Sequence, residues 1–360
     1  MSENLRDELV SLTSDLIRFE SIAERPDQLA AAIHYVAGYL ATIPNIHVQR
    51  SERNSKPALV ATLRETRRPA LLLNAHLDVV VAAPQQFQPE VRDGRIYGRA
   101  SQDMKGSAAV MLCLLRDLAA LEHPPDVGFQ FVSDEEIGGR DGTGRLLEDG
   151  WRCETFIALE PTDMHICYAQ KAPMWVEVTV PGTPGHGSRP WDSRNPIFAI
   201  QAGLARLAER FPAPDAPIWR TTVTPTSMQA GGGSRNQIPA SAGMSFDIRH
   251  TGEDRPEDLV ALLQECFPGA EVRGGRSGGL LESDPNEAAF QRLAHISRQV
   301  TGRQCEFYRE HFASDARFYS QAGIPAICFG PVGQGLHSDD EWVSVDGLVD
   351  LYNVLREYVQ

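Results

Sequence analysis

The feature that most constrains this chain is an alternation of hydrophobic period. Short apolar runs at 69–75, 128–133 and 155–159 are separated by stretches whose apolar residues recur at helical spacing. The first such stretch carries Leu5, Leu9, Leu12, Leu16 and Ile17; later ones span 28–40 and 106–121. Short apolar runs between helices predict buried strands, so the expected fold is α/β, a mainly parallel sheet sandwiched by helices. In such sheets ligands gather beyond the carboxyl ends of the strands.

The period changes after Lys171. Met174-Trp-Val-Glu-Val-Thr-Val alternates by two, as a half-exposed strand does. A helix over 195–210, a Pro-rich connection, a strand near Thr221, a Gly231-Gly-Gly233 turn, a strand over 242–249 and a helix over 255–266 follow. Gly274-Gly-Arg-Ser-Gly-Gly279 reads as a hinge, after which a helix over 287–301 restores the first pattern. The 360 residues exceed what one core usually holds, roughly 250–300. The expected organisation is one domain of 1–171 plus 281–360, with an α+β domain, 172–280, inserted into it.

Charge narrows the partners. Lys and Arg number 34 against 48 Asp and Glu, a formal charge of −14. That excess excludes the cationic face a nucleic-acid binder needs and opposes docking to an anionic membrane. No apolar run approaches the roughly 18 residues of a membrane span. The N-terminal segment carries acids where a signal peptide would be basic, and six dispersed cysteines form no CxxC pair. A cytoplasmic protein with reduced thiols is expected.

The chemistry lies at the predicted strand ends. His76 and Asp78, two apart on extended chain, project to one side; a metal-binding imidazole backed by a carboxylate fits, as does a chance His-x-Asp. Asp103 precedes an alanine-rich helix and suits either its N-cap or a carboxylate bridging two metals. Asp134, Glu135 and Glu136 follow the strand near 128–133, where cations or solvent must offset their repulsion; one glutamate can ligate while its neighbour acts as a base. Glu160 and His337 end two further strand patterns. Any one of these has a bland explanation, but His76, Asp103, Glu136, Glu160 and His337 together form a mixed N/O donor set. Such a set suits two divalent ions, zinc first, with cobalt or manganese as alternatives.

In order along nearly the whole chain, His76-Leu-Asp78, Gly98-Arg-Ala-Ser-Gln-Asp-Met-Lys-Gly106, Ser133-Asp-Glu-Glu136, Glu160-Pro-Thr, Gly185-His-Gly-Ser-Arg-Pro190, the Asn236 turn and Leu336-His-Ser-Asp-Asp-Glu341 resemble a known family. It is that of the co-catalytic di-zinc amidohydrolases and exopeptidases, which includes acetylornithine deacetylase, succinyl-diaminopimelate desuccinylase, aminoacylase and carboxypeptidase G. The resemblance implies that His76 and Glu160 hold one ion, Glu136 and His337 the other, and Asp103 bridges them. Asp78 would stand behind His76, and Glu135 would be the general base. The inserted domain would serve as lid or dimerisation domain of a homodimer, its His186 reaching the partner's site. Asn236, Arg249 and Arg317 match substrate-contacting positions, an arginine fork being the natural partner of a carboxylate. Ala100 departs from the pattern, because members commonly have glycine there.

The implied reaction is hydrolysis of the amide of an N-acyl amino acid by metal-activated water. The alternatives are a dipeptidase or carboxypeptidase acting on short peptides, or a binding protein that kept the fold without the chemistry. No GxSxG elbow follows any strand, which argues against a serine hydrolase.

Overall fold

The computed structural model describes residues 2–231 and 233–360, so Gly232, in the middle of the expected triple-glycine turn, lies outside the described residues. The chain divides into two compact units. One comprises 2–169, 281–309 and 314–360, and the other 170–280 with 310–313.

The first unit is built on a nine-stranded sheet. Its middle is parallel: Val127–Val132, Leu71–His76, Thr155–Ala158 and Ala326–Cys328 lie side by side in that order. Outside them, Lys56–Thr62 runs antiparallel to Val127–Val132, and Ile166–Gln170 antiparallel to Ala326–Cys328. The sheet is therefore mixed, with a parallel centre and antiparallel flanks. The period of two sorts its side chains. Leu71, Leu73 and Ala75 join a core with the helices Ser2–Ile17, Pro26–Leu40, Gly106–Ala119, Ala288–Thr301 and Val345–Tyr358. Leu72, Val132 and Phe156 face the opposite core, completed by Leu146 and Tyr319 from two short helices, Thr143–Glu148 and Ala316–Gln321.

A small antiparallel sheet in the same unit matters for the site. It orders Gly333–Gln334, Trp342–Ser344, Arg95–Tyr97 and Glu90–Arg92, and so lays the segment before Asp103 alongside the segment after His337.

The second unit has a four-stranded antiparallel sheet in the order Thr222–Ala230, Ser241–His250, Ala172–Pro181, Glu271–Ser277. Met174, Val176 and Val178 alternate inward against Leu207 and Leu263 of the helices Pro196–Arg210 and Pro256–Cys266. The segment expected as a hinge proves to be largely strand. Gly274 and Gly275 sit in the edge strand Glu271–Ser277, which is irregular after Gly274. A Cβ at Gly274 would fall 2.5 Å from the Trp175 carbonyl oxygen at φ +96°, so glycine serves a bulge in a paired strand.

Candidate metal centre

Five segments deliver the candidate donors, all within the first unit. Strand Leu71–His76 ends on His76, buried to 1% exposure. Strand Val127–Val132 leads into the turn bearing Glu135 and Glu136, and Thr155–Ala158 leads to Glu160. Asp103 lies in the bend before helix Gly106–Ala119, and His337 in the loop after Gly333–Gln334.

Asp103 is the hub. Its Oδ1 is 3.0 Å from His76 Nε2 and its Oδ2 is 3.2 Å from His337 Nε2. His337 Nε2 is also 3.4 Å from Glu136 Oε1. Donor atoms of His76, Asp103 and Glu136 all lie within 4.8 Å of one another. The carboxylate that also suited a helix cap makes no cap: the helix that follows has no side-chain cap at its N-terminus. Glu160 is buried, and its Oε1 has no hydrogen-bond partner among the described residues.

The three consecutive acids diverge. Asp134 turns inward, its Oδ2 accepting the Asp141 N–H at 2.7 Å, while Glu135 and Glu136 follow on a short turn. Gly139 closes that turn at φ +60°, where a Cβ would fall 2.0 Å from Asp315 Oδ1. Asp78 has more to do than stand behind His76. Its carboxylate accepts the N–H groups of Glu135 and Glu136, at 3.1 and 2.9 Å. His76 Nδ1 meets the main-chain oxygen of Asp78 at 3.0 Å, with the carboxylate oxygen farther off at 3.6 Å. Asp78 thus ties the turn bearing the two glutamates to the strand bearing His76.

The electrostatics call for cations. Burial drives Glu135 and Glu160 well above the usual carboxylate range, and neighbouring carboxylates push the same way. Asp78 is pushed up to about 6, chiefly by burial. Burial also opposes charge on Asp103, but hydrogen bonds from His337 and His76 outweigh it and hold the carboxyl below its usual range. Burial likewise opposes a charged His76, yet Asp103 raises it well above an ordinary imidazole. His337 is raised to about 10 by hydrogen bonds to Asp103 and Glu136. Protons on the two imidazoles thus supply positive charge that the carboxylates demand. An orphaned buried Glu160 oxygen and a carboxylate shared by two histidines fit bound divalent ions, whose ligands are deprotonated on binding.

The remaining expected site residues have other surroundings. Arg317 is 4% exposed; its Nη1 donates to the Ser314 carbonyl at 2.6 Å and its Nη2 to the Gly138 carbonyl at 2.8 Å. Its Nη1 also lies 4.0 Å from Glu135 Oε1. His186, Asn236 and Arg249 belong to the second unit. There Asn236 Nδ2 is 3.2 Å from His186 Nε2, while the Ser188 N–H donates to His186 Nδ1 at 3.2 Å. Arg249 pairs with Asp247, Nε to Oδ1, at 2.7 Å.

Two residues with structural prominence escape a reading of the sequence. Glu341 is 1% exposed and accepts hydrogen bonds from the loop leading into Asp103, and Arg99 is its ion-pair partner at 2.7 Å. Both stand inside the segments 98–106 and 336–341 that carry the family resemblance, but an acid in Ser-Asp-Asp-Glu looks like solvated surface, and nothing local announces its partner 242 positions away.

Fold and donor set together define a class, the metal-dependent hydrolases of α/β architecture. Comparison with known proteins supplies the family: residues 72–360 match Peptidase family M20/M25/M40, and the chain belongs to it. The protein is a metallo-amidohydrolase. A succinyl-diaminopimelate desuccinylase of Xanthomonas oryzae pv. oryzae is 30% identical over 325 residues, 81% of this chain and 83% of that one. Among solved structures, a tripeptidase from Staphylococcus aureus aligns over 98% of this chain and 97% of its own with a TM-score of 0.81 and 20% identity. A dinuclear metal binding peptidase of the M20 family from Bacillus subtilis aligns over 99% and 98% with a TM-score of 0.69 and 16% identity. At those identities the structural likeness speaks for the fold. Among the described residues no helix is long and apolar enough to cross a membrane.

Proposed function

We propose that the protein hydrolyses the amide bond of an N-acyl amino acid with two divalent ions, zinc by preference, in the cytoplasm and as a homodimer. The observation that carries this reading is the Asp103 carboxylate shared between His76 and His337 beside Glu136. In it, His76 and Glu160 would hold one ion, Glu136 and His337 the other, and Asp103 would be a ligand common to the two. Bound ions would polarise the scissile carbonyl and lower the pKa of the attacking water toward roughly 7.

The chain's own groups do the rest. Glu135, held by its main-chain N–H to Asp78, is placed to take the proton from the attacking water and return it to the departing amine. Its high proton affinity suits a group that must hold that proton between the two steps. Gly138 and Ser314 carbonyls hold Arg317 beside Glu135, which makes a positioning part for this arginine at least as apt as a substrate contact. In the second unit, the lid or dimerisation domain in this reading, Ser188 at Nδ1 and the Asn236 amide at Nε2 bracket the imidazole of His186. An imidazole and a carboxamide so paired would present N–H donors to a developing oxyanion of the partner's substrate once a substrate displaces their mutual contact. Arg249 remains a candidate for a substrate carboxylate despite its pairing with Asp247.

The desuccinylase relative favours an acylated amino acid over a peptide. A screen for amine release across N-acetyl, N-succinyl and dipeptide substrates, with zinc or cobalt added, tests this. The expected result is turnover of an N-acyl amino acid well above any dipeptide; preferential dipeptide cleavage would make the protein a peptidase instead. For His186, the alanine variant is expected to lose ~10²–10³-fold in kcat with metal content unchanged, the usual weight of one oxyanion donor. Mixed dimers pairing His186→Ala with His76→Ala subunits should regain part of the activity. Absence of any regain would exclude action across the dimer.

A further inference from the structure

Glu341 and Arg99 are buried charges with no part in the chemistry above. Glu341 is 1% exposed and Arg99 2%. The Glu341 carboxylate is fully engaged. Its Oε2 accepts from Arg99 Nη1 at 2.7 Å and from the Ala100 N–H at 2.9 Å. Its Oε1 accepts from the N–H groups of Gln102 at 3.2 Å and Asp103 at 3.3 Å. The bend so gathered includes Ala100 at φ +63°, a left-handed conformation that costs a residue with a Cβ roughly 1 kcal/mol or more and needs external support. Arg99 supplies a second arm, for its Nη2 donates to the main-chain carbonyl of His337 at 3.2 Å. The small sheet beneath fixes both segments through the pairing of Tyr97 with Trp342.

We propose that the Arg99–Glu341 pair is a positioning device that locks the Asp103 bend to the His337 loop and so sets the spacing of the two metal sites. The inference rests on the proposed ligand set. Its physical logic is a division of labour: Glu341 orients the backbone of the shared ligand, and Arg99 carries that constraint to a ligand of one ion only. Burying two charges costs several kcal/mol of desolvation, which apolar residues of similar size would avoid, so stability alone is a weak reason for the pair. Four charge-assisted or main-chain bonds to one carboxylate give a rigidity that an apolar contact cannot.

The test is cobalt titration of the metal-stripped protein, read by affinity and by the visible spectrum of the bound ions. Glu341→Gln is expected to weaken both ions by about 10–100-fold, the usual effect of removing a partner that orients a ligand. Arg99→Lys keeps the charge, but one ammonium cannot span both partners of the guanidinium. It is expected to weaken one ion by about 10-fold and spare the other. Circular dichroism of both metal-free variants should match the parent. Wild-type affinities and spectrum in Arg99→Lys would overturn the proposal, as would both variants failing to fold, which would assign the pair to stability. Asp103→Asn separates the layers: if it loses the ions while Glu341→Gln keeps them, only this inference falls. If Asp103→Asn keeps both ions at full affinity, the ligand set falls and this inference with it.

Discussion

Glu135→Gln is expected to lower kcat by ~10²–10⁴-fold, the range over which a positioned general base contributes. The amide is close in size to the carboxylate and cannot take a proton from water, so the loss should fall on kcat with little change in KM. Metal content should stay at the parent's level, because in the proposed assignment Glu136, and not Glu135, is a ligand. Folding should not suffer either. The carboxyl of Glu135 is buried and raised well above its usual range, so a neutral replacement removes a desolvation cost and the metal-free variant should melt no lower than the parent. The measurements are steady-state hydrolysis of the best substrate from the amine-release screen, metal analysis and thermal unfolding. Activity within a few-fold of the parent would remove Glu135 as the base, and loss of an ion would make it a ligand.

Asp103→Asn should produce the other large effect, through a different quantity. The carboxylate facing His76 Nε2 at 3.0 Å and His337 Nε2 at 3.2 Å is the one group common to both halves of the cluster. Its amide replacement has one neutral oxygen and an NH₂ group, which repels a cation. The variant is expected to retain fewer than two ions per chain after dialysis and to lose ~10³-fold or more in kcat/KM, since Lewis-acid polarisation and nucleophile generation depend on the same ions. Added zinc or cobalt should restore little of the activity. Elemental analysis and a metal-dependence curve distinguish this from Glu135→Gln, where the ions stay and the rate falls. The two variants thus separate the inorganic from the protonic part of the mechanism.

Much of the first unit was legible because its determinants are local. The apolar run at 69–75 is strand Leu71–His76, and the periodic stretch at 106–121 is helix Gly106–Ala119. Inward and outward positions follow from a period of two or of 3.6, which any short window contains. The antiparallel flanks of the sheet were not legible, because strand direction depends on how connections route the chain and not on the strand's own residues. The glycine-rich segment at 274–279 misled for a related reason: glycine marks unusual backbone geometry without saying whether it is a hinge or, as here, a bulge in a paired strand.

The sequence by itself determined which chemistry the chain holds in stock: histidines and carboxylates placed where strand patterns end, and an acidic balance unsuited to nucleic acid. It could not decide between the two duties open to Asp103. The tertiary structure removed the cap and brought His337 across 234 positions to the carboxylate that His76 already faces. It also turned Asp78 toward the Glu135–Glu136 turn and buried Glu341 against the Asp103 bend. Such contacts join groups far apart in the chain, and their energies exist only once water has been excluded between them. A side chain's chemistry is a property of its residue, but its partners are a property of the packed fold.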